Sequence, residues 1–126
     1  MPKVLYIEDD KEQIDLYAFA FKTYAPDLEF IGERYPQEAL DKIKEIKPDI
    51  ILLDIIMPDM DGVMVLKKLK ALPEAKDIPV IVFTNSAQPG LSDVCMKLGA
   101  LKFWQKTDIL PKDIVKNLKI ILSKNY

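Results

Sequence analysis

The chain has 126 residues, 49% of them hydrophobic and 30% charged, with a formal net charge of −2. That is the size and balance of one soluble globular domain, and it carries no electrostatic footprint for nucleic acid or an anionic membrane. There is no histidine and only one cysteine, Cys95, which excludes Ser-His-Asp and Cys-His catalysis, histidine-ligated metals, an internal disulfide and a cysteine-based zinc cluster.

Val4-Leu5-Tyr6-Ile7 reads as a first apolar strand running into Glu8-Asp9-Asp10. Ile14, Tyr17, Ala18 and Phe21 then recur at helical spacing, with Asp10 placed as the cap and Ala25-Pro26-Asp27 as the break. Leu28 to Gly32 is a shorter, less apolar strand and is expected at a sheet edge. Pro36 opens a second helix with Ala39, Leu40, Ile43 and Ile46 on one face. Ile50 to Leu53 are four consecutive large apolar residues, the pattern of a strand buried on both faces, and they end at Asp54. Asp61-Gly62 marks a turn before a third helix carrying Val63, Leu66 and Leu69. Ile78 to Phe83 predicts a fourth strand ending at Thr84. After the polar Asn85–Gly90 loop comes a weaker helix with Leu91, Val94, Cys95 and Leu98, stopped by Gly99. Cys95 on that apolar face is expected as a small buried side chain. Ala100 to Gln105 is a fifth strand leading to Lys106. Thr107-Asp108 and Pro111 open a last helix with Ile114, Val115, Leu118, Ile121 and Leu122. No repeat or interdomain linker is present. With no signal peptide, long apolar run or lipidation signal, the chain is expected in the cytoplasm.

Five strands alternating with five helices imply an α/β doubly wound (βα)5 fold, a parallel five-stranded sheet with helices on both faces. Right-handed crossovers and short connections leave few topologies, of which strand order 2-1-3-4-5 is the commonest and is the one expected here. In such a sheet the carboxyl ends of all strands share one rim. The unusual polar residues all fall there: Glu8 and Asp9 after strand one, Asp54 after strand three, Thr84 at the end of strand four and Lys106 after strand five. An aspartate at a strand exit is either a polar terminator or a point where something binds. Strands one and three are neighbours, so three carboxylates are expected to converge. Two carboxylates about 4 Å apart repel by roughly 4 kcal/mol at an effective dielectric near 20. A hard divalent cation such as Mg²⁺ removes that repulsion. An ammonium and a hydroxyl facing it complete a clamp for a phosphoryl group, and a carboxylate is a competent phosphoryl acceptor.

These residues resemble those of a response-regulator receiver domain of two-component signalling, the CheY-like family with its flavodoxin-like fold. The matching stretches are Glu8-Asp9 after Val-Leu-Tyr-Ile, Pro48 to Asp54, Met57-Pro58-Asp59-Met60-Asp61-Gly62, Thr84 after Val-Ile-Val-Phe, Gly99-Ala100, and Lys106. The resemblance spans the whole chain. It implies that Asp54 accepts a phosphoryl group from the phosphohistidine of a sensor histidine kinase or histidine phosphotransfer protein. It implies Mg²⁺ held by Asp9, Asp54 and the backbone carbonyl of Ile56, with Glu8 helping directly or through water. Thr84 and Lys106 would bind phosphate oxygens, and Phe103 would follow as the aromatic switch, reshaping the face of helix four, strand five and helix five. The expected protein is a single-domain, stand-alone receiver over residues 1–126, not an enzyme beyond its own phosphorylation and dephosphorylation. Its output would be docking to a partner, phosphorelay or a phosphorylation-dependent homodimer, with no direct contact to nucleic acid or membrane.

The chain departs from the family pattern at two places, Thr107 and Phe103. Thr107 follows Lys106 where proline is usual, so a cis bond there, costing about 2.5–4 kcal/mol, is not expected. The switch aromatic is Phe103 rather than tyrosine, and strand alternation places Phe103 and Trp104 on opposite faces. Ile56 cannot hydrogen-bond an attacking water, and Ser86 offers only a hydroxyl, so slow self-dephosphorylation is expected. Two other readings compete. A haloacid-dehalogenase-like Mg²⁺ phosphatase needs a second aspartate where Ile56 stands. A flavodoxin-like electron carrier needs a phosphate loop where Glu8-Asp9-Asp10 would repel phosphate.

Overall fold

The computed structural model describes residues 1–58 and 60–124; Asp59, part of the loop motif after Asp54, lies outside the described residues. The strands are β1 (Lys3–Ile7), β2 (Glu29–Glu33), β3 (Ile50–Leu53), β4 (Val80–Thr84) and β5 (Lys102–Gln105), and the helices are α1 (Lys11–Tyr24), α2 (Pro36–Ile46), α3 (Gly62–Ala71), α4 (Leu91–Lys97) and α5 (Pro111–Ser123). They alternate in chain order and form one parallel sheet in the order β2-β1-β3-β4-β5, as expected. β2 is an edge strand, and its side chains are correspondingly exposed or half-buried.

Strand alternation sorts the core into two layers. Leu5, Ile7, Ile51, Leu53 and Val82 face one side, under Ala39, Leu40 and Ile43 of α2 and Val65, Leu66 and Leu69 of α3. Val4, Tyr6, Ile50, Leu52, Ile81 and Phe83 face the other, under Tyr17 and Phe21 of α1 and Ile114, Val115 and Leu118 of α5. All residues of β3 and β4 are buried, which is why both read as unbroken apolar runs rather than as alternating patterns. Cys95 is fully buried in the first layer.

The element ends are set locally. Asp10 caps α1 by accepting from the Glu12 backbone N–H at 2.9 Å, and Asp61 caps α3 by accepting from Val63 N–H at 3.0 Å. α2 and α5 begin on Pro36 and Pro111, where a missing N–H costs nothing. Several boundaries differ from expectation: β1 begins at Lys3 rather than Val4, β2 runs Glu29–Glu33 rather than 28–32, and β5 begins at Lys102 rather than Ala100. β4 starts at Val80 rather than Ile78, because Pro79 has no N–H to give the ladder; its carbonyl accepts from Ile51 N–H instead. Lys106–Asp108 forms a separate 3-10 turn, and α5 waits for Pro111. The Lys106–Thr107 peptide is trans.

Candidate functional site

β1 and β3 are hydrogen-bonded neighbours with Ile7 opposite Leu53 in register. The Asp54 N–H donates to the Ile7 carbonyl at 3.1 Å, so the two strands end level. Glu8, Asp9 and Asp54 therefore leave the sheet together, and oxygens from all three carboxylates lie within 4.8 Å of one another. Glu8 is 2% and Asp54 6% exposed, while Asp9 is half-buried. Lys106 enters from the turn after β5. Its ammonium pairs with Glu8 Oε1 and stands 3.4 Å from Asp54 Oδ2. The Asp54 carboxylate is held from below as well, Oδ1 accepting from the Ile56 backbone N–H at 3.1 Å.

Burial pushes the Glu8 carboxyl up to about 7; the Lys106 ammonium opposes that rise and the neighbouring Asp54 adds to it. Three carboxylates against one ammonium leave an excess of negative charge in a confined space. The donors are all hard oxygens, the set that suits Mg²⁺. The residues present, Glu8, Asp9 and Asp54, fit such an ion.

A cleft of about 270 Å³ opens over this cluster, lined by Glu8, Asp9, Asp54, Ile56 and Lys106. Three further lining residues were not anticipated: Asp10, Gln13 and Asn85. Gln13 lies three residues past Asp10 on the first turn of α1, so its position was readable as the neighbour of a capping residue. Asn85 follows Thr84 at the exit of β4. Thr84 itself is fully buried, its hydroxyl accepting from Ser86 N–H at 3.2 Å, and it is not part of the cleft wall. Ser86 in turn accepts from Gln88 N–H at 3.3 Å. Phe103 is half-buried against the α2–α3–α4 layer and Trp104 against the α1–α5 layer, on opposite sides of β5 as alternation requires.

Two features fix the floor and rim. The Arg34 guanidinium Nε donates to the Asp9 carbonyl at 3.0 Å, tying the loop after β2 to the loop that carries the acids. Gly62 lies so close to the Asp54–Ile55 backbone that a Cβ there would meet Ile55 Cα, with the Ile55 and Asp54 carbonyl oxygens at 2.7 and 2.8 Å. A larger groove, about 660 Å³, lies elsewhere, between Lys102 and Trp104 of β5 and Ile120 and Ile121 of α5. No cluster of metal-ligating side chains was found there among the described residues.

A family model described as the response regulator receiver domain matches residues 4–119. The polar-differentiation response regulator DivK of Brucella anthropi is 35% identical over 114 residues, 90% of this chain and 92% of its own. A protein-glutamate methylesterase/protein-glutamine glutaminase of Clostridium acetobutylicum is 38% identical over 97 residues, 71% of this chain. The chain spans 28%, 29% and 53% of the lengths of three of the curated relatives it matches. Among solved structures, the phosphorylated cyanobacterial phytochrome response regulator RcpA superposes with a TM-score of 0.84 at 28% identity, covering 99% of this chain and 96% of that one. The Mn²⁺-bound form of response regulator Rcp1 superposes with a TM-score of 0.79 at 30% identity, covering 98% and 94%.

Proposed function

Because this chain belongs to the receiver-domain family of two-component response regulators, we propose that it is a Mg²⁺-dependent phosphoryl acceptor whose Asp54 takes the group from a partner's phosphohistidine. A receiver domain of this family is phosphorylatable and draws on a histidine kinase or phosphotransfer protein. The choice of Asp54, of the ion and of the output face is our reading. What carries it is the convergence of Glu8, Asp9 and Asp54 within 4.8 Å, with the Lys106 ammonium across from them. These 126 residues hold no histidine, so the donor imidazole has to come from outside them.

In the transfer, an Asp54 carboxylate oxygen forms a bond to phosphorus as the donor's N–P bond breaks, and the electron pair returns to the imidazole nitrogen. The Ile56 N–H on Oδ1 and Lys106 near Oδ2 fix the carboxylate for that approach. Asp9 and Asp54, with the Ile56 carbonyl, would hold the ion, and Glu8 would act on it directly or through water. The bound ion supplies charge neutralisation for the acids and the incoming phosphoryl oxygens. Lys106 then stabilises the same oxygens from the other side.

Phosphate on Asp54 would draw the Thr84 hydroxyl away from Ser86 and onto a phosphate oxygen. Phe103, half-buried beside it in β5, would follow, and the face of α4, β5 and α5 would be reshaped for partner docking, phosphorelay or pairing of two copies. This is a local charge change biasing a two-state element.

Incubation with acetyl phosphate and Mg²⁺, followed by intact mass, tests the reading. One phosphoryl group is expected on the parent chain, none on Asp54→Ala, and little in excess EDTA. An unphosphorylated parent, or equal loading of Asp54→Ala, overturns it.

A further inference from the structure

Tyr6 stands apart from its neighbours in β1. It is completely buried, on the same side of the strand as Glu8, and a phenylalanine would fill its place in the aromatic layer equally well. Its ring meets Tyr17 edge-on at 5.5 Å and Phe83 at 6.1 Å. What tyrosine adds is a hydroxyl, and that hydroxyl donates to Glu8 Oε1 at 3.1 Å. The Lys106 ammonium, paired with the same oxygen, lies 5.7 Å from the centre of the Tyr6 ring and 5.7 Å from that of Phe83. Tyr6 thus touches both poles of the buried ion pair, its hydroxyl on the carboxylate and its face under the cation.

The acceptor count on Glu8 has a consequence for the ion. A carboxylate oxygen offers about two lone-pair directions. Oε1 receives both the Tyr6 hydroxyl and the Lys106 ammonium, while Oε2 receives the Asp10 N–H at 3.3 Å. Glu8 is therefore turned inward and takes three donors before any ion arrives, whereas Asp54 takes one donor on each oxygen, the Ile56 N–H on Oδ1 and the Lys106 ammonium 3.4 Å from Oδ2, and Asp9 stands half-buried on the cleft wall. We propose that Tyr6 is a positioning residue that holds Glu8 back from direct ligation, so that the site offers an ion few carboxylates and leaves it several waters. That arrangement favours Mg²⁺, which keeps its waters, over Ca²⁺, which takes six to eight oxygen ligands in flexible geometry. Glu rather than Asp at position 8 belongs to the same device, since the longer arm reaches the hydroxyl.

The inference rests on the metal reading of this site. Its test is calorimetric titration of the metal-stripped protein with Mg²⁺ and with Ca²⁺, without any phosphodonor. Tyr6→Phe keeps the ring beneath Lys106 and removes only the hydroxyl. It frees an acceptor on Oε1 and lets Glu8 turn outward as a third carboxylate. The ratio of Ca²⁺ to Mg²⁺ dissociation constants is expected to fall by roughly tenfold, the usual scale for loss of a group that orients a ligand. Glu8→Asp, too short to reach the hydroxyl, is expected to move the ratio the same way and serves if Tyr6→Phe does not fold. A merely structural role for the hydroxyl weakens both ions in parallel, so an unchanged ratio overturns the assignment to Tyr6. A parent chain that binds neither ion overturns the metal reading and this inference with it.

Discussion

Ile56 lies on the lip of the cleft, 56% exposed, two residues after Asp54 and bonded to it through its own backbone N–H. An aliphatic side chain there sheds water and offers no hydrogen bond to a nucleophile approaching a phosphoryl group on Asp54. Ile56→Asn is therefore expected to shorten the phosphorylated lifetime by roughly tenfold, the effect of one hydrogen bond of about 1.4 kcal/mol to the attacking water. Because the position is open to solvent, stability is expected to change by less than about 0.5 kcal/mol. Decay followed by intact mass checks this, and faster or equal decay in the parent counts against it. Ser86 lies two residues past Thr84, yet its hydroxyl is engaged with Gln88 N–H, while Asn85 lines the cleft. The loop turns immediately after β4, and spacing alone does not give the direction of a turn.

At the scale of elements, the start of α3 is tied to the site. Asp61-Gly62 reads in sequence as a turn, and Asp61 is indeed the cap of the helix. Gly62 has a second duty that no local pattern announces. Its N–H donates to the Ile55 carbonyl at 3.2 Å, and the absence of a Cβ lets α3 press against the Asp54–Ile55 backbone. Gly62→Ala sets a methyl against main chain that has no flexible end to yield. A loss of about 1–3 kcal/mol is expected from such overpacking. Phosphorylation should slow as well, since the displaced backbone carries the acceptor. Urea denaturation read beside the acetyl-phosphate rate checks both. Stability lost with the rate unchanged, or neither moved, would show that the close approach does not support the acceptor. Strand and helix identities were legible because period and punctuation are local properties. The late start of β4 and the separate turn at Lys106–Asp108 were less so, because each end depends on which neighbour supplies a hydrogen bond.

For the whole molecule, the folded state collects acids that the unfolded chain keeps apart. Glu8 shows the effect, its carboxyl raised by burial from the ordinary 4.5 to about 7. A carboxyl raised on folding binds more protons folded than unfolded throughout that interval. Its contribution to stability is complete below the unfolded value and is lost as pH rises through the folded one. In EDTA, the melting temperature of the metal-free protein is expected to decline by a few degrees between about pH 4.5 and about 7 on this account. Millimolar Mg²⁺ should recover much of the loss at the upper end, since an ion bound only by the folded state stabilises it. Thermal melts across that range with and without Mg²⁺ check the sign; a metal-free melting temperature that rises through the interval would contradict it. Among the described residues no helix is long and apolar enough to cross a membrane.

By itself, the sequence determined the alternation of elements, the doubly buried third strand and, once the commonest strand order is taken, the rim on which Glu8, Asp9, Asp54 and Lys106 meet. Hydrophobic period, helix caps and the handedness of parallel crossovers are general rules, and applied in succession they leave few topologies, of which the observed order is the commonest. Only the tertiary structure decided how the charges are paired inside that rim: Lys106 on Glu8, Tyr6 on the same oxygen, Arg34 on the Asp9 carbonyl, and Thr84 turned toward Ser86 rather than into the cleft. Those bonds join residues far apart in the chain or depend on the course of a loop. Their geometry follows from the packing of side chains across the sheet, which no spacing along the chain encodes.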